Sequence, residues 1–296
     1  MTEQRAQVGS VELVYETIGD PADAPLLLVM GLGMQLIHWD RELCELLAGR
    51  GFHVIRFDNR DAGLSTKIRG PVPNVMRLMA GMPARVPYLL HDMAGDTFGL
   101  LDRLGIERAH VAGVSMGGMI GQTMAIERPE RVLSLASMLS STGDRRGGTP
   151  KLRVWSLMMR RAPQDRDAYI RYFVKVFRMI GSPAYRVDEE RLRERAAETY
   201  DRAHYPPGTA RQLAAIMASG SRTAALQQLE VPTLVIHGEA DPLIPLRAGL
   251  ATARAVPESE LITVPGMGHD MPRELWPTFV DAIAKNAERA SAKQAA

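Results

Sequence analysis

The chain has 296 residues, of which 46% are hydrophobic and 24% charged, as expected for one large globular domain with a sizeable core. Its net charge of only +2 gives no strongly basic surface, so nucleic acid is not expected as a partner. A single cysteine, Cys44, excludes an intramolecular disulfide.

No stretch of the sequence has the pattern of a targeting or membrane segment. The first residues, MTEQRAQVGS, lack the apolar core of a signal peptide. The longest apolar run, APLLLVMGLGM, is shorter than the roughly 20 residues that span a bilayer, and glycine interrupts it. We therefore expect a cytoplasmic protein that does not contact a membrane. The sequence leaves open whether it forms a homodimer.

Short apolar runs alternate with amphipathic segments in chain order. Strands are predicted at residues 11–19, 25–31, 53–58, 108–115, 133–139, 232–241 and 260–269. Helices are predicted at residues 35–51, 87–106 and 116–132, and a further helical segment precedes the last strand. This alternation indicates the α/β class, with a mostly parallel central sheet flanked by helices on both faces.

Strand-like runs stop between residues 143 and 226. The segment begins within the Gly-rich sequence STGDRRGGTP and continues with helical stretches such as DAYIRYFVKVFRMIG and DEERLRERAAETYDRA. We therefore predict a core domain made of residues 1–142 and 227–296. A helical cap, residues 143–226, is predicted between two strands of its sheet.

The pentapeptide GVSMG places Ser115 between Gly113 and Gly117, after a predicted strand and before a predicted helix. A sharp turn there needs small neighbours, because strand and helix come close together, and it exposes the serine hydroxyl. The N-terminus of the helix also favours negative charge beside that hydroxyl. A glycine-rich turn with an incidental serine is the alternative, and the strand–helix context favours a nucleophile.

A nucleophilic serine requires a base, and the base requires a carboxylate that orients it. Asp241 follows a predicted strand, at the edge where open α/β sheets bind ligands, and Glu239 in the same loop is its competitor. A turn or helix-capping role is the alternative for Asp241. The candidate base is His269, which follows the last predicted strand through PGMGH, whereas His237 and His91 lie inside predicted elements.

Five motifs resemble those of α/β-hydrolase-fold enzymes, in the family's order, from about residue 10 to residue 285. They are VMGLGMQLIHWD for the oxyanion loop, FDNRDAGLS for an Asp-x-Arg-Gly-x-Gly-x-Ser turn, GVSMG for the nucleophile, HGEADPLIP for the acid and PGMGH for the histidine. Met30 stands where many members have histidine, and Asp61 replaces the first glycine of the turn. Among members of the family, the motif sequences are most similar to those of the aclacinomycin methylesterase-type and cofactor-free haloperoxidase-like esterases.

The resemblance implies two backbone donors for an oxyanion hole, the N–H groups of Leu32 and Met116. Such donors stabilise the oxygen that becomes negative in a tetrahedral intermediate. Because both are main-chain groups, the departure at Met30 should not abolish the hole. The residues flanking these motifs, Met30, Gly31, Met34 and Met267, are expected to form an apolar, adaptable substrate pocket.

Several residues near the motifs have simpler structural interpretations. Cys44 lies in a helical pattern and is expected to be a small buried apolar group. Asp58 and Arg60 are expected to fix the turn after their strand, and His38 and Trp39 to pack in the core.

Patterns for cofactors and metals are absent from the sequence. GLGMQL begins like a dinucleotide-binding fingerprint, but Leu36 stands where the last position requires glycine. No Walker A sequence and no metal-spaced cluster of His and Cys occurs. We therefore expect no cofactor and no metal, and a small-molecule ester as the partner.

These features together predict a serine hydrolase that cleaves a carboxylic ester of a small or medium apolar substrate. An acyl-enzyme would form on Ser115, with His269 as the base and Asp241 as the residue that orients it. A lactonase or a carbon–carbon bond hydrolase of the same fold is the alternative. A non-catalytic binding protein that kept the fold is the rival from another class.

Overall fold

The computed structural model describes residues 3–79, 82, 84–144, 151–158 and 162–295. Within these ranges, one sheet of eight strands has the order β1-β2-β4-β3-β5-β6-β7-β8. The strands are β1 (Gln4–Val8), β2 (Val11–Ile18), β3 (Ala24–Val29), β4 (Phe52–Phe57), β5 (Ala109–Val114), β6 (Val132–Met138), β7 (Thr233–Gly238) and β8 (Glu260–Val264). Strand β2 is antiparallel to β1 and to β4, and the remaining pairs are parallel.

Helices alternate with the strands, as the sequence pattern predicts for the α/β class. They are α1 (Arg41–Ala48), α2 (Val75–Met79), α3 (Leu90–Arg103), α4 (Met116–Glu127), α5 (Leu152–Met158), α6 (Arg166–Ile180), α7 (Glu189–Arg202), α8 (Pro206–Ala218), α9 (Thr223–Leu226), α10 (Leu246–Ala255) and α11 (Trp276–Ala295). Among the described residues, no helix combines the length and the apolar character needed to cross a bilayer.

The two faces of the sheet are buried under different helices. In β3, Leu27 and Val29 pack into the cluster that contains α3 and α4, whereas Leu26 and Leu28 pack into the cluster that contains α1 and α11. Successive side chains of a strand point to opposite faces, so a strand covered on both sides is apolar throughout. This explains why the sequence of β3 is an unbroken apolar run. The predicted mostly parallel sheet, flanked by helices on both faces, is confirmed.

The first helix and the first strand differ from the sequence-based prediction. The helix predicted from residue 35 begins only at Arg41, because the Asp40 side chain caps it by accepting the N–H of Glu42 at 3.1 Å. Strand β1 has no counterpart among the predicted strands. Its largely polar residues pair with β2 at the edge of the sheet, where no apolar periodicity is required.

Helices α5 to α9 all lie between β6 and β7, in the part of the chain predicted as an insertion. The domain boundaries at residues 142 and 227 stay a prediction. Part of the Gly-rich segment that was predicted to open the insertion, residues 145–150, lies outside the described residues. Side chains of the inserted helices reach loops at the carboxyl end of the sheet: Gln212 of α8 bonds to Gly33, and Arg202 of α7 pairs with Asp58.

The buried imidazole of His110 makes stability depend on pH. His110 lies in β5, its Nδ1 atom is 2.8 Å from the Ser134 hydroxyl, and burial, with Arg108 nearby, lowers its pKa from 6.5 to about 4. The unfolded chain therefore binds a proton at His110 below about pH 6.5 that the folded chain does not bind. Stability from this site is present above pH 6.5 and is lost as the pH falls towards 4.

We therefore expect wild type to lose about 1–2 kcal/mol more of its free energy of unfolding than His110→Asn between pH 7 and pH 5. Urea titrations of both proteins at the two pH values measure this difference. The same pH dependence in the two proteins would contradict the low pKa of His110.

Candidate active site

The carboxyl ends of four parallel strands bring the predicted site residues to one edge of the sheet. Leu32 follows β3, Ser115 follows β5, Asp241 follows β7 and His269 follows β8. Ligand sites of open α/β sheets lie at this edge, because the loops that leave parallel strands converge there. The residues are far apart in sequence, and the sheet order alone places their loops side by side.

The turn that carries Ser115 is strained and tightly packed. Ser115 has φ 57° and ψ −118°, a conformation that side chains rarely adopt. A Cβ atom at Gly113 would lie 2.2 Å from the carbonyl oxygen of Gly117, and one at Gly117 would lie 1.9 Å from that of Val29. The Ser115 N–H donates to Met138 O at 2.9 Å, which anchors the turn to β6. Glycine is therefore required on both sides of the serine.

His269 and Asp241 form a short, buried pair. The His269 Nδ1 atom is 2.6 Å from Asp241 Oδ2, and the Asp241 side chain is fully buried. The other oxygen of Asp241 accepts the N–H groups of Leu243 at 2.8 Å and Ile244 at 2.9 Å. This arrangement fixes the carboxylate and favours the tautomer with the proton on Nδ1, so Nε2 is the nitrogen that can accept a proton.

The other acid and base candidates in the sequence, Glu239 and His91, lie away from this pair. Glu239 is exposed, and its Oε1 atom accepts the hydroxyl of Thr263 at 2.9 Å. His91 is exposed on α3, where a hydrogen bond to Glu127 raises its pKa. Neither side chain contacts His269, so the structure brings together Asp241 and His269 rather than either competitor.

His237 lies behind Asp241. Its Nε2 atom donates to the carbonyl of Ile244 at 2.8 Å and is 3.8 Å from Asp241 Oδ2. Burial lowers the pKa of His237, so the ring is neutral beside the carboxylate. The sequence indicated only that His237 lies inside a strand, and the structure adds that it supports the acid loop.

Ser115 and His269 line the same large cavity, which has a volume of about 1230 Å³. Within the described residues, no hydrogen bond joins the Ser115 hydroxyl to His269; such bonds often tighten only when a substrate binds. The described residues contain no group of three or more His, Cys, Asp or Glu arranged to hold a metal ion. The walls of the cavity are mostly apolar and include Leu43, Met119, Phe173, Phe177, Ile216 and Met217.

Three of the four predicted pocket residues line this cavity, namely Met30, Gly31 and Met34. Met267 does not. Its side chain is fully buried in the core between the sheet and α11. A turn closed by the Met267 N–H and Val264 O at 3.3 Å separates this residue from β8. For His38 the outcome is the reverse. It was expected to pack in the core, and it lines the cavity instead.

The loop between β3 and α1 forms a tight turn beside the serine. The N–H of Met34 donates to Gly31 O at 3.2 Å, and Gly33 has φ 69°, as a type II turn requires. A Cβ atom at Gly31 would lie 3.3 Å from Ser115 Cβ. The turn therefore approaches the serine as closely as a glycine allows.

The two predicted backbone donors meet different surroundings. The Leu32 side chain lines the cavity, whereas the Met116 side chain is fully buried. Among the described residues, neither backbone N–H has an acceptor. Met116 is the first residue of α4, so its N–H is one of those that a helix leaves unpaired. Both N–H groups are thus available to an oxygen bound beside Ser115.

Asp61 shows why the chain can depart from the family's glycine in this turn. Its φ is 66°, a value that glycine adopts readily and that aspartate tolerates better than most residues. Its carboxylate accepts the N–H of Ile68 and the hydroxyl of Tyr88, both at 2.8 Å. The side chain therefore adds two anchors that a glycine could not provide.

Residues of the insertion hold the loop that carries His269 in place. The His269 N–H donates to Ile180 O at 2.7 Å, and the Gly268 N–H donates to the Ser182 hydroxyl at 2.8 Å. The Ser182 hydroxyl in turn donates to Asp270, which lines the cavity and whose pKa is raised by burial. Sequence reasoning missed Ser182 and Asp270; the only signal was that Asp270 directly follows the histidine.

The chain matches the α/β-hydrolase-fold family over residues 24–272. This match spans most of the chain, which therefore belongs to the α/β-hydrolase family, as the motifs indicated.

Individual relatives cover nearly the whole chain. The rhodomycin D methylesterase DauP of Streptomyces sp. (strain C5) is 29% identical to it, over 95% of this chain and 96% of that protein. RutD of Pseudomonas savastanoi, provisionally named a carbamate hydrolase, is 31% identical over 84% of this chain and 88% of its own. A meta-cleavage product hydrolase from Pseudomonas fluorescens IP01 superposes with a TM-score of 0.78 over 97% of this chain and 98% of that one. Its 19% identity makes this a likeness of fold.

The close approach at Gly117 can be tested against an unhindered helical glycine. Gly117→Ala places a Cβ atom against the backbone of β3, so we expect a loss of about 3 kcal/mol in the free energy of unfolding. Gly95 is exposed in α3 and has no atom within 4 Å of a Cβ position, so Gly95→Ala should add about 0.5–1 kcal/mol. Chemical denaturation of both variants measures the contrast. Equal effects would show that the turn at Ser115 can relax.

Proposed function

We propose that the protein is a serine esterase that hydrolyses a carboxylic ester through an acyl-enzyme on Ser115. In this proposal His269 is the general base, Asp241 orients it, and the N–H groups of Leu32 and Met116 form the oxyanion hole. The observation that carries the proposal is the 2.6 Å Asp241–His269 pair, in which His269 lines the same cavity as a serine held at φ 57°.

Acylation uses the tautomer that Asp241 favours. His269 Nε2 accepts the hydroxyl proton while Ser115 Oγ bonds to the ester carbonyl carbon, and the carbonyl oxygen becomes negative. That oxygen accepts hydrogen bonds from the two backbone donors, which are worth most when the charge is present. When the tetrahedral intermediate breaks down, the bond to the alkoxy oxygen breaks and His269 gives its proton to the leaving alcohol.

Deacylation repeats these steps with water. His269 removes a proton from a water molecule, the oxygen of which attacks the acyl carbon. The bond to Ser115 Oγ then breaks, and the serine recovers its proton from His269. Asp241 stays ionised throughout and stabilises the positive charge that the imidazole carries in both transition states.

The walls of the cavity support an apolar substrate. A volume of about 1230 Å³ is larger than that of most ligand pockets, so the site has room for substrates beyond the small esters used in assays. Similarity to a methylesterase over 95% of the chain supports an ester as the scissile group. The inserted helices would act as a cap, residues 143–226, that limits substrate size. A cytoplasmic location stays a prediction.

Hydrolysis of a lactone or a carbon–carbon bond remains the alternative within the fold. Each starts with the same activated serine, so the residues at the carboxyl edge of the sheet do not distinguish them. A non-catalytic binding protein is disfavoured, because the short, buried Asp241–His269 pair has no purpose in a simple binding cavity. Parallel assays of p-nitrophenyl esters of rising acyl length, lactones and an amide decide among these activities.

Replacing the serine tests the nucleophile. We expect Ser115→Ala to lower kcat for p-nitrophenyl ester hydrolysis by at least about 10³-fold and to abolish labelling by a fluorophosphonate, because the residues of a catalytic triad act as a unit. Ser156→Ala, which alters an exposed serine of α5, is the matched control and should retain both properties. Turnover near that of wild type in pure, folded Ser115→Ala would overturn the assignment.

Replacing each carboxylate of the acid loop tests which of them is the third residue of the proposed catalytic triad. Asp241→Asn preserves shape but favours the wrong tautomer of His269, and in a serine protease the corresponding change lowers kcat by about 10⁴-fold. We expect a comparably steep fall in kcat here, whereas Glu239→Gln should change kcat by less than about tenfold, since Glu239 contacts Thr263 instead. Steady-state kinetics at saturating ester measure both. A larger effect at Glu239 would reassign the acid while leaving Ser115 and His269 in place.

A further inference from the structure

The turn that carries Leu32 is held on its outer side by the inserted helices. Gln212 of α8 is fully buried, and its Oε1 atom accepts the N–H of Gly33 at 2.8 Å. Its amide nitrogen donates to Arg60 O at 2.8 Å, which fixes the orientation of the amide. The packing is close, since a Cβ atom at Gly33 would lie 2.7 Å from the hydroxyl oxygen of Thr209.

A second contact holds the loop just beyond the turn. The side-chain nitrogen of Gln35 donates to the carbonyl oxygens of Thr199 and Ala203, each at 2.8 Å, at the carboxyl end of α7. Its oxygen accepts a hydrogen bond from Arg202 at 2.7 Å. The loop is therefore fixed by α8 at one point and by α7 at another.

The contact from Gln212 acts on the peptide next to the one that carries the proposed oxyanion donor. The Leu32 N–H belongs to the peptide that joins Gly31 to Leu32, whereas the N–H of Gly33 belongs to the following peptide, the plane of which Gln212 fixes. In a turn closed by the Met34 N–H and Gly31 O, a rotation of the following peptide has to be compensated at the φ angle of Leu32, which moves the Leu32 N–H. Within the turn itself, only the 3.2 Å bond from Met34 to Gly31 O opposes a rotation. Without Gln212, the partly buried N–H of Gly33 would also lose its acceptor, which favours a rearranged turn.

We propose that Gln212 is a positioning residue for the oxyanion hole and holds the Leu32 N–H in the orientation that the transition state requires. This inference rests on the proposed role of Leu32 as a donor. Removing an oxyanion donor costs about 10²–10³-fold in kcat in a well-studied protease, and misplacing one should cost less. The inserted helices then contribute to catalysis itself as well as covering the cavity.

The chain offers a matched control in Gln122 of α4. It is also fully buried, and its side chain likewise makes two hydrogen bonds, to Ser137 at 3.0 Å and from Arg222 at 3.1 Å. Neither partner belongs to the oxyanion loop. Gln122→Met should therefore reproduce the loss of two buried hydrogen bonds without disturbing Leu32.

The experiment compares Gln212→Met with Gln122→Met. For each variant, kcat and KM are measured on a p-nitrophenyl ester, together with the inhibition constant of phenylboronic acid. This probe adds to a serine oxygen and places a boron hydroxyl in the oxyanion hole. We expect Gln212→Met to lower kcat about 10–100-fold, to weaken boronic acid inhibition by a similar factor and to change KM less than about threefold. In Gln122→Met, all three quantities should stay within about threefold of wild type.

A conservative variant separates positioning from general damage. Gln212→Glu keeps an acceptor for Gly33 and, protonated in this buried site, a donor for Arg60 O, so kcat should recover to within about fivefold of wild type. If Gln212→Met does not fold, Gln212→Asn, one methylene shorter, takes its place under the same criteria.

The inference is overturned if folded Gln212→Met retains kcat within about threefold, if only KM changes, if Gln122→Met loses as much, or if Gln212→Glu shows no recovery. Failure of the proposed function has a separate signature. Wild type would then show no boronic acid inhibition of ester hydrolysis, or Ser115→Ala would hydrolyse the ester as well as wild type.

Discussion

The close approach of α4 to the ends of β3 and β5 is the constraint on which the rest of the site depends. The first turn of the helix lies so near Val29 O that residue 117 has no room for a side chain, and Ser115, at the start of this turn, has a strained conformation. Such strain costs about 1–3 kcal/mol and persists only where neighbours hold it. Here the main chain of Ser115 is held on both sides, by Met138 O and by the hydroxyl of Ser140.

Buried carboxylates hold the loops that surround this turn. Asp58, Asp61 and Asp241 are all buried, and each accepts at least one backbone N–H from a loop that has no regular pairing. Loop N–H groups that are buried need acceptors, and a carboxylate is a stronger acceptor than a neutral side chain. In α/β-hydrolase folds the loops at this edge carry the chemistry, so fixed loops are a condition for a defined site.

Two of these carboxylates are paired with arginines of the inserted helices. Arg202 is 2.7 Å from Asp58, and Arg211 is 3.4 Å from Asp61. Removing one partner of such a buried pair typically costs about 3–5 kcal/mol, because the other charge is left uncompensated. With the contacts of Gln212 to the oxyanion loop and of Ser182 to the histidine loop, these pairs make the insertion part of the framework of the site.

The sequence by itself determined the α/β class, the chain order of the site motifs and the positions of Ser115, Asp241 and His269 at the ends of strands. These features are local, because each depends on a short stretch of the chain. They are the apolar periodicity of single helices and strands, the glycines at a sharp turn, and the loop after each apolar run. The position of the loop alone did not separate Asp241 from Glu239, and the sequence favoured Asp241 through the resemblance of HGEADPLIP to the family's acid loop. The tertiary structure places Asp241 2.6 Å from His269 and leaves Glu239 exposed. The sequence also placed Met267 in the pocket, whereas in the folded chain the segment after β8 places this side chain in the core.

Gln212 and Ser182 gave no signal in the sequence. Each bonds to a loop that lies 86 or more residues away along the chain, and such contacts form only once the sheet and the inserted helices have come together.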